Sequence, residues 1–156
     1  MSEYDGQLRP LGRVAIIVSR YNEVVTGKLL AGARECCRGA KLPDDQVDVI
    51  WVPGAFELGV AAMAAARSGR YVALVALGCV IRGETPHFDF VAGETSRQLG
   101  AVALETAVPV GFGLLTTEDL DQALARAGGS AGNKGTEACD AALRAADVVK
   151  QLREAR

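Results

Sequence analysis

The sequence predicts an α/β protein: a three-layer α/β/α sandwich, flavodoxin-like, built on a four-stranded parallel sheet. Two observations point there. Short apolar runs rich in β-branched residues alternate with longer segments of helical periodicity, and crossovers of roughly 20–30 residues separate successive runs, long enough to hold a helix. The runs are also continuous rather than alternating, which marks strands buried on both faces under two layers of helix. Right-handed crossovers then generate the doubly wound arrangement.

The elements follow in order. VAIIV at 14–18 is the first strand, broken by the polar Ser19-Arg20-Tyr21-Asn22. Residues 24–38 place Val25, Leu29, Leu30 and Ala33 at helical spacing, and Gly39 suits the end of that helix. VDVIWV at 47–52 is the second strand, stopped by Pro53-Gly54, and an alanine-rich helix over 55–68 closes at Gly69. VALVAL at 72–77, running on to Ile81, is the third and most buried strand. After the loop RGETPH a long helix covers about 89–107, and Val108-Pro109 ends it. VGFGLL at 110–115 is the fourth strand, with a low-propensity glycine pair inside it. Thr116 and Thr117 then offer hydroxyl N-caps, with Glu118 and Asp119 in the first turn, to a helix ending near Gly128. GGSAGNKG reads as a loop before a terminal helix over 136–153, with Ala141, Leu143, Ala146, Val149 and Leu152 on its apolar face.

Composition narrows the function. The chain has 156 residues, enough for one domain that buries about two-thirds of its unfolded surface. We read 1–156 as that single domain, with 1–11 as an N-terminal arm. A net charge of −2 shows no basic excess and argues against nucleic acid. The longest apolar run is too short to cross a bilayer, which takes about 20 residues, and the polar N-terminus lacks the apolar core of a secretory signal. Cys36, Cys37, Cys79 and Cys139 lack metal-site spacing and sit inside apolar patterns, so reduced core thiols in a cytoplasmic protein are expected.

In a parallel sheet the loops after the strands crowd one edge, where such folds bind small molecules. Here those loops are Ser19–Asn22, Pro53–Glu57, Gly78–Phe88 and Thr116–Thr117, all richer than a plain turn requires. Tyr21 is either a loop aromatic capping the core or a platform for stacking a planar ring, with Asn22 adding hydrogen bonds. Glu57 either complements a helix dipole or accepts hydrogen bonds from hydroxyls. Gly83-Glu84-Thr85 ahead of a helix offers free N–H groups to an anion. His87, the chain's one histidine, is either structural or a proton shuttle near neutral pH. Arg126 near a helix C-terminus favours the macrodipole whatever else it does. GGSAGNKGT looks superficially like a phosphate loop, but it lacks the Gly-Lys-Thr order and follows a helix instead of a strand, so a nucleoside-triphosphate loop is rejected.

Five collinear blocks, SRYN, VPGAFELG, LGCVIRGETPHFDFVAGE, PVGFGLLTTEDLDQALARAG and AGNKGTEA, resemble the lumazine synthase family over residues 12–150. The resemblance implies condensation of 5-amino-6-(D-ribitylamino)uracil with 3,4-dihydroxy-2-butanone 4-phosphate to 6,7-dimethyl-8-ribityllumazine, in riboflavin biosynthesis, with no metal or organic cofactor. It implies that Tyr21, with Asn22 beside it, stacks on the pyrimidine, that Ala55, Phe56 and Glu57 hold the ribityl chain, and that the backbone of Val80 and Ile81 faces the heterocycle. Gly83, Glu84 and Thr85 match the phosphate cradle, His87 the proton-transfer residue and Arg126 the phosphate-binding arginine. Phe112 and Lys134 match positions that, with this arginine, come from a neighbouring subunit. Small-molecule substrates and a homo-oligomer are thus the implied partners: a pentamer, or a 60-subunit icosahedral cage because the Gly128–Asn133 turn carries no insertion, with riboflavin synthase a candidate partner. In the cage, residues 1–10 are expected to add a strand to a neighbour's sheet. Tyr21 stands where the family more often has Phe or Trp, Gly59 where it usually has proline, and Ser130 where lysine is frequent. The competing class is a non-catalytic flavin- or lumazine-binding or cage protein on the same fold, which loss of His87 or Arg126 would favour; both are present.

Overall fold

The computed structural model describes residues 1–155. Strands β1 (Val14–Ser19), β2 (Val47–Val52), β3 (Ala73–Ile81) and β4 (Val110–Thr117) form one parallel sheet in the order β2-β1-β3-β4. Helices α1 (Glu23–Gly39), α4 (Leu120–Ala125) and α5 (Lys134–Glu154) lie on one side, and α2 (Leu58–Arg67) and α3 (His87–Thr106) on the other. The predicted three-layer α/β sandwich is therefore observed.

Strand pleating sorts the residues between the two cores. Val14, Ile16 and Val18 of β1, with Val75 and Leu77 of β3, meet α1 and α5. Ala15 and Ile17, with Leu74 and Ala76, meet α2 and α3. The whole of β1 is buried, as continuous apolar runs require. The glycine pair of β4 has a packing reason. A Cβ on Gly111 would run into the Ala138 carbonyl and one on Gly113 into Leu77, so α5 sits directly on the strand. On the opposite face Gly59 is equally confined, because a Cβ there would meet the side chain of Gln98 on α3.

Several local readings are corrected. Strand pairing continues through Ile81 and Thr117, so Thr116 and Thr117 belong to β4 and cap nothing. The N-cap of α4 is Asp119: its carboxylate accepts from the Gln122 N–H at 2.8 Å, while Gln122 Oε1 accepts from the Glu118 N–H at 2.9 Å, a reciprocal capping arrangement. That helix ends at Ala125, not near Gly128, because Ala127–Gly129 (β5) turns back against Gly132–Asn133 (β6) in a small antiparallel pair instead of a plain loop. By contrast α1 ends at Gly39 as expected, and the left-handed position that follows is taken by Lys41 at φ 66°. The buried stripe of α5 runs through Ala138, Cys139, Ala142, Leu143 and Ala146, whereas Ala141 and Leu152 are exposed. Asn133 provides the cap of α5, accepting from the Gly135 and Thr136 N–H groups.

The N-terminal segment has no regular structure, and it is tied to its own chain. The Gln7 N–H donates to Asp147 Oδ2 at 2.8 Å, Arg9 Nε lies 3.3 Å from the same oxygen, and Arg144 donates to the Gly6 carbonyl at 3.1 Å. Asp147 is almost wholly buried by these contacts. Residues 5–9 thus run along α5 of the same chain, leaving residues 1–4 exposed and outside that anchor. All four cysteines are free and buried. No helix among the described residues is long and apolar enough to cross a membrane.

Candidate active site

Of the four loops expected to converge, those after β1, β2 and β3 meet at a cavity of about 770 Å³ at the carboxyl edge of the sheet, whereas Thr116 and Thr117 line a separate groove. Tyr21, Ala55, Phe56, Val80, Ile81, Gly83, Thr85 and His87 line it. Hydrogen bonds from Arg20 N–H to the Val52 carbonyl and from Tyr21 N–H to the Pro53 carbonyl, at 2.8 and 2.9 Å, prolong the β1–β2 pairing past the strand ends. They fix the Tyr21 backbone while its ring stays 72% exposed, an open aromatic platform.

Asn22 is held within the chain. Its backbone is left-handed (φ 62°, ψ 44°), and its Nδ2 donates to the Cys79 carbonyl at 2.9 Å. The amide thereby ties the β1 loop to the end of β3. Asn22 is not among the cavity-lining residues. Next to that carbonyl, burial pushes the Cys79 thiol up to about 11, so it lines the cavity as an inert apolar group.

Ala55–Glu57 form a 3-10 turn that runs directly into α2. Gly54 caps it without a side chain, and the first N–H groups of such a turn have no partner within it. Thr95 of α3 braces the turn by donating to the Ala55 carbonyl at 3.3 Å. Glu57 does not line the cavity; its half-buried carboxylate folds back beside Gly54, which does. Beneath this region Ser19 Oγ is the one buried side-chain polar atom without a partner among the described residues.

His87 opens the 20-residue α3. Its N–H donates weakly to Thr85 Oγ1 at 3.4 Å and the Asp89 N–H donates to the Pro86 carbonyl at 3.0 Å, so the helix start beside Gly83, Thr85 and His87 is partly satisfied by its own loop. The positive end of the helix dipole favours an anion there. Glu84 is exposed on the same loop and does not line the cavity. Arg82, which sequence reasoning missed, braces this loop. It pairs with Glu118 at 3.1 Å and Asp89 at 3.5 Å, and its guanidinium lies 4.4 Å from the Phe88 ring centre.

Phe88, Phe90 and Val91 also line the cavity without having been assigned. A signal for two of them existed: residues three and four apart share a helix face, so a helix begun at His87 aligns His87 with Phe90 and Val91. Starting that helix at residue 89 hid the alignment.

Phe112, Arg126 and Lys134 do not join the others. They line a separate groove of about 350 Å³ with Leu114, Thr116, Thr117 and Glu137, where β4 meets the start of α5. Arg126 Nη1 donates to the Gln122 carbonyl at 3.0 Å, closing α4, while the rest of the guanidinium stays exposed. Phe112 is 43% exposed for an aromatic in a strand. No group of three or more His, Cys, Asp or Glu side chains is placed to hold a metal ion among the described residues.

Fold and site define a doubly wound α/β protein whose main cleft combines an exposed aromatic, a 3-10 turn and a helix N-terminus. Residues 12–150 match the model of the 6,7-dimethyl-8-ribityllumazine synthase family. A curated relative from Edwardsiella ictaluri (strain 93-146), described as 6,7-dimethyl-8-ribityllumazine synthase, is 52% identical over 145 residues, covering 92% of this chain and 93% of that protein. The chain belongs to the 6,7-dimethyl-8-ribityllumazine synthase family.

Proposed function

We propose that this protein is a transferase of riboflavin biosynthesis that condenses 5-amino-6-(D-ribitylamino)uracil with 3,4-dihydroxy-2-butanone 4-phosphate to 6,7-dimethyl-8-ribityllumazine, releasing phosphate and water. Family membership supports the reaction. The observation that carries the site is the single cavity in which Tyr21, the Ala55–Phe56 turn and the Gly83–Thr85–His87 wall meet. Tyr21 stacks on the pyrimidine, the turn and Glu57 hold the ribityl hydroxyls, and the α3 terminus takes the phosphate. Amine and ketone form an imine without strong activation, so positioning supplies most of the rate and His87 moves protons.

The two separate grooves support a site completed between copies of the chain. One copy contributes the cavity, and its neighbour contributes Phe112, Arg126 and Lys134, with Arg126 on the departing phosphate. Such a head-to-tail contact closes into a ring, which fits a pentamer. Exposed Val60, Phe90 and Leu104, at 71%, 73% and 89%, give apolar surface for it to cover. Sixty subunits in a cytoplasmic cage remain the larger assembly we favour, with riboflavin synthase the candidate partner.

The test is product formation from the two substrates, with two variants. Arg126→Ala should lower kcat/KM by about 30- to 1,000-fold. Mixing the impaired Arg126→Ala and His87→Ala subunits should restore about a quarter of the sites if each site draws on two chains. No recovery in verified mixed oligomers refutes the shared site, and absence of product from the unaltered protein refutes the reaction.

A further inference from the structure

Away from the cavity, three of the four cysteines meet between α1 and α5. Cys37 Sγ lies 3.5 Å from Cys139 Sγ, and the Cys36 thiol also reaches Cys139. The two helices approach closely because Gly135 has no room for a Cβ beside the Leu29 carbonyl. Of the three thiols, only Cys37 borders a polar cavity of about 260 Å³, whose walls are Arg34, Arg38, Asp44 and Val47. Arg34 and Arg38 are exposed and one helical turn apart, and Arg38 pairs with Asp44 at 3.6 Å. Arg34 and Arg38 share that cavity with the thiol, and a cation near a thiol favours the thiolate. Contact with Cys139 is the main cause holding the Cys37 thiol below its ordinary value, and it lowers Cys36 likewise, while contact with Cys36 and Cys37, together with burial, pushes Cys139 up.

We propose that Cys37 is an oxidation site for hydroperoxides and that Cys139 converts the product into a disulfide joining α1 to α5. The Cys37 thiolate attacks the terminal peroxide oxygen and the O–O bond breaks; the departing oxyanion takes a proton from water and leaves as an alcohol, or as water from hydrogen peroxide. Cys37 is oxidised to the sulfenic acid and the peroxide is reduced. Cys139 sulfur then attacks Cys37 sulfur, the sulfenic hydroxyl leaves as water with the Cys139 proton, and the disulfide forms. Cys36 cannot resolve Cys37, since adjacent residues on a helix do not face each other. Cys79 lies in the other cavity.

The experiment treats the reduced, assembled protein with hydrogen peroxide, caps remaining thiols with N-ethylmaleimide, and reads the intact mass and the tryptic peptides. The expected result is a loss of two hydrogens per chain, a link between peptides 35–38 and 135–144 whose fragmentation assigns it to Cys37, and oxidation at least about tenfold faster than at Cys79. The link should persist in Cys36→Ala and vanish in Cys139→Ala, where dimedone should instead trap the Cys37 sulfenic acid. A link through Cys36, oxidation of Cys79 first, or an unchanged mass in the unaltered protein overturns the proposal. The unaltered protein's fragmentation map decides the case even if a variant fails to fold.

Discussion

Replacing Asn22 separates two accounts of the residue beside the stacking platform. Its side chain makes one hydrogen bond, to the Cys79 carbonyl at 2.9 Å, worth about 1 kcal/mol in a half-buried setting. Its backbone sits at φ 62°, ψ 44°, where alanine is less comfortable than asparagine by about 1 kcal/mol. Asn22→Ala loses both, about 2 kcal/mol in all, and should lower Tm by roughly 4–8 °C. Asn22→Gly keeps the backbone conformation and loses only the bond, so it should fall between the two. Because this tie holds the loop carrying Tyr21, the same order should appear in the KM for the ribitylaminouracil, up to about 30-fold for alanine, with the KM for the phosphate substrate little changed. Calorimetry and steady-state kinetics on the three proteins decide it. An alanine variant with unchanged Tm and a raised pyrimidine KM would mean that Asn22 touches the substrate directly. A glycine variant as damaged as the alanine one would sink the backbone argument.

His87→Ala should lower kcat/KM by about 10- to 100-fold with Tm unchanged, since the residue is exposed and its role is proton transfer; complete loss of activity in a folded variant contradicts a positioning-dominated reaction. Lys41→Gly should raise Tm by about 1–3 °C, because glycine relieves the left-handed strain at φ 66° and loses part of the gain to its unfolded-state entropy. The Tyr71 phenol, which donates to Asp48 at 2.7 Å, is the main cause holding that carboxyl below its ordinary value, with Arg13 and Arg70 assisting. Asp48 therefore adds stability fully present above about pH 4 and lost as pH falls through its lowered value. Tyr71, raised by burial and by the same bond, adds stability below about pH 10 that is lost above it. Asp48→Asn should cost about 1 kcal/mol at pH 7 and flatten both limbs of the Tm–pH curve, a result that thermal melts from pH 3 to 11 would check.

What the sequence shows and what it hides follow from how local each cause is. The four strands and their parallel pairing were legible because burial on both faces writes an uninterrupted apolar run and crossovers of that length hold a helix, whereas the order β2-β1-β3-β4 was not written in any local segment. The cavity wall was legible for the same reason, since parallel strands put Tyr21, Ala55 and His87 at one edge wherever their loops begin. The errors lie where a decision was non-local. Nothing near Thr117 says that Ile81, thirty-six positions earlier, extends the pairing and moves the helix cap to Asp119. Nothing near Asn22 says that its amide will be held by the Cys79 carbonyl.

The division of site residues between two grooves has the same non-local origin, and it bears on the chemistry. β4 is the sheet's last strand, so Phe112 and the α4–α5 junction sit at an edge of the molecule, away from the β1–β3 centre where the cavity forms. A neighbour placed head to tail brings its edge to the β3 loop while both sheets stay intact. In the proposed shared site the arginine that meets the departing phosphate arrives only with assembly, so activity and oligomerisation should be lost together on dilution. A monomer that still turns over at wild-type kcat would refute this coupling.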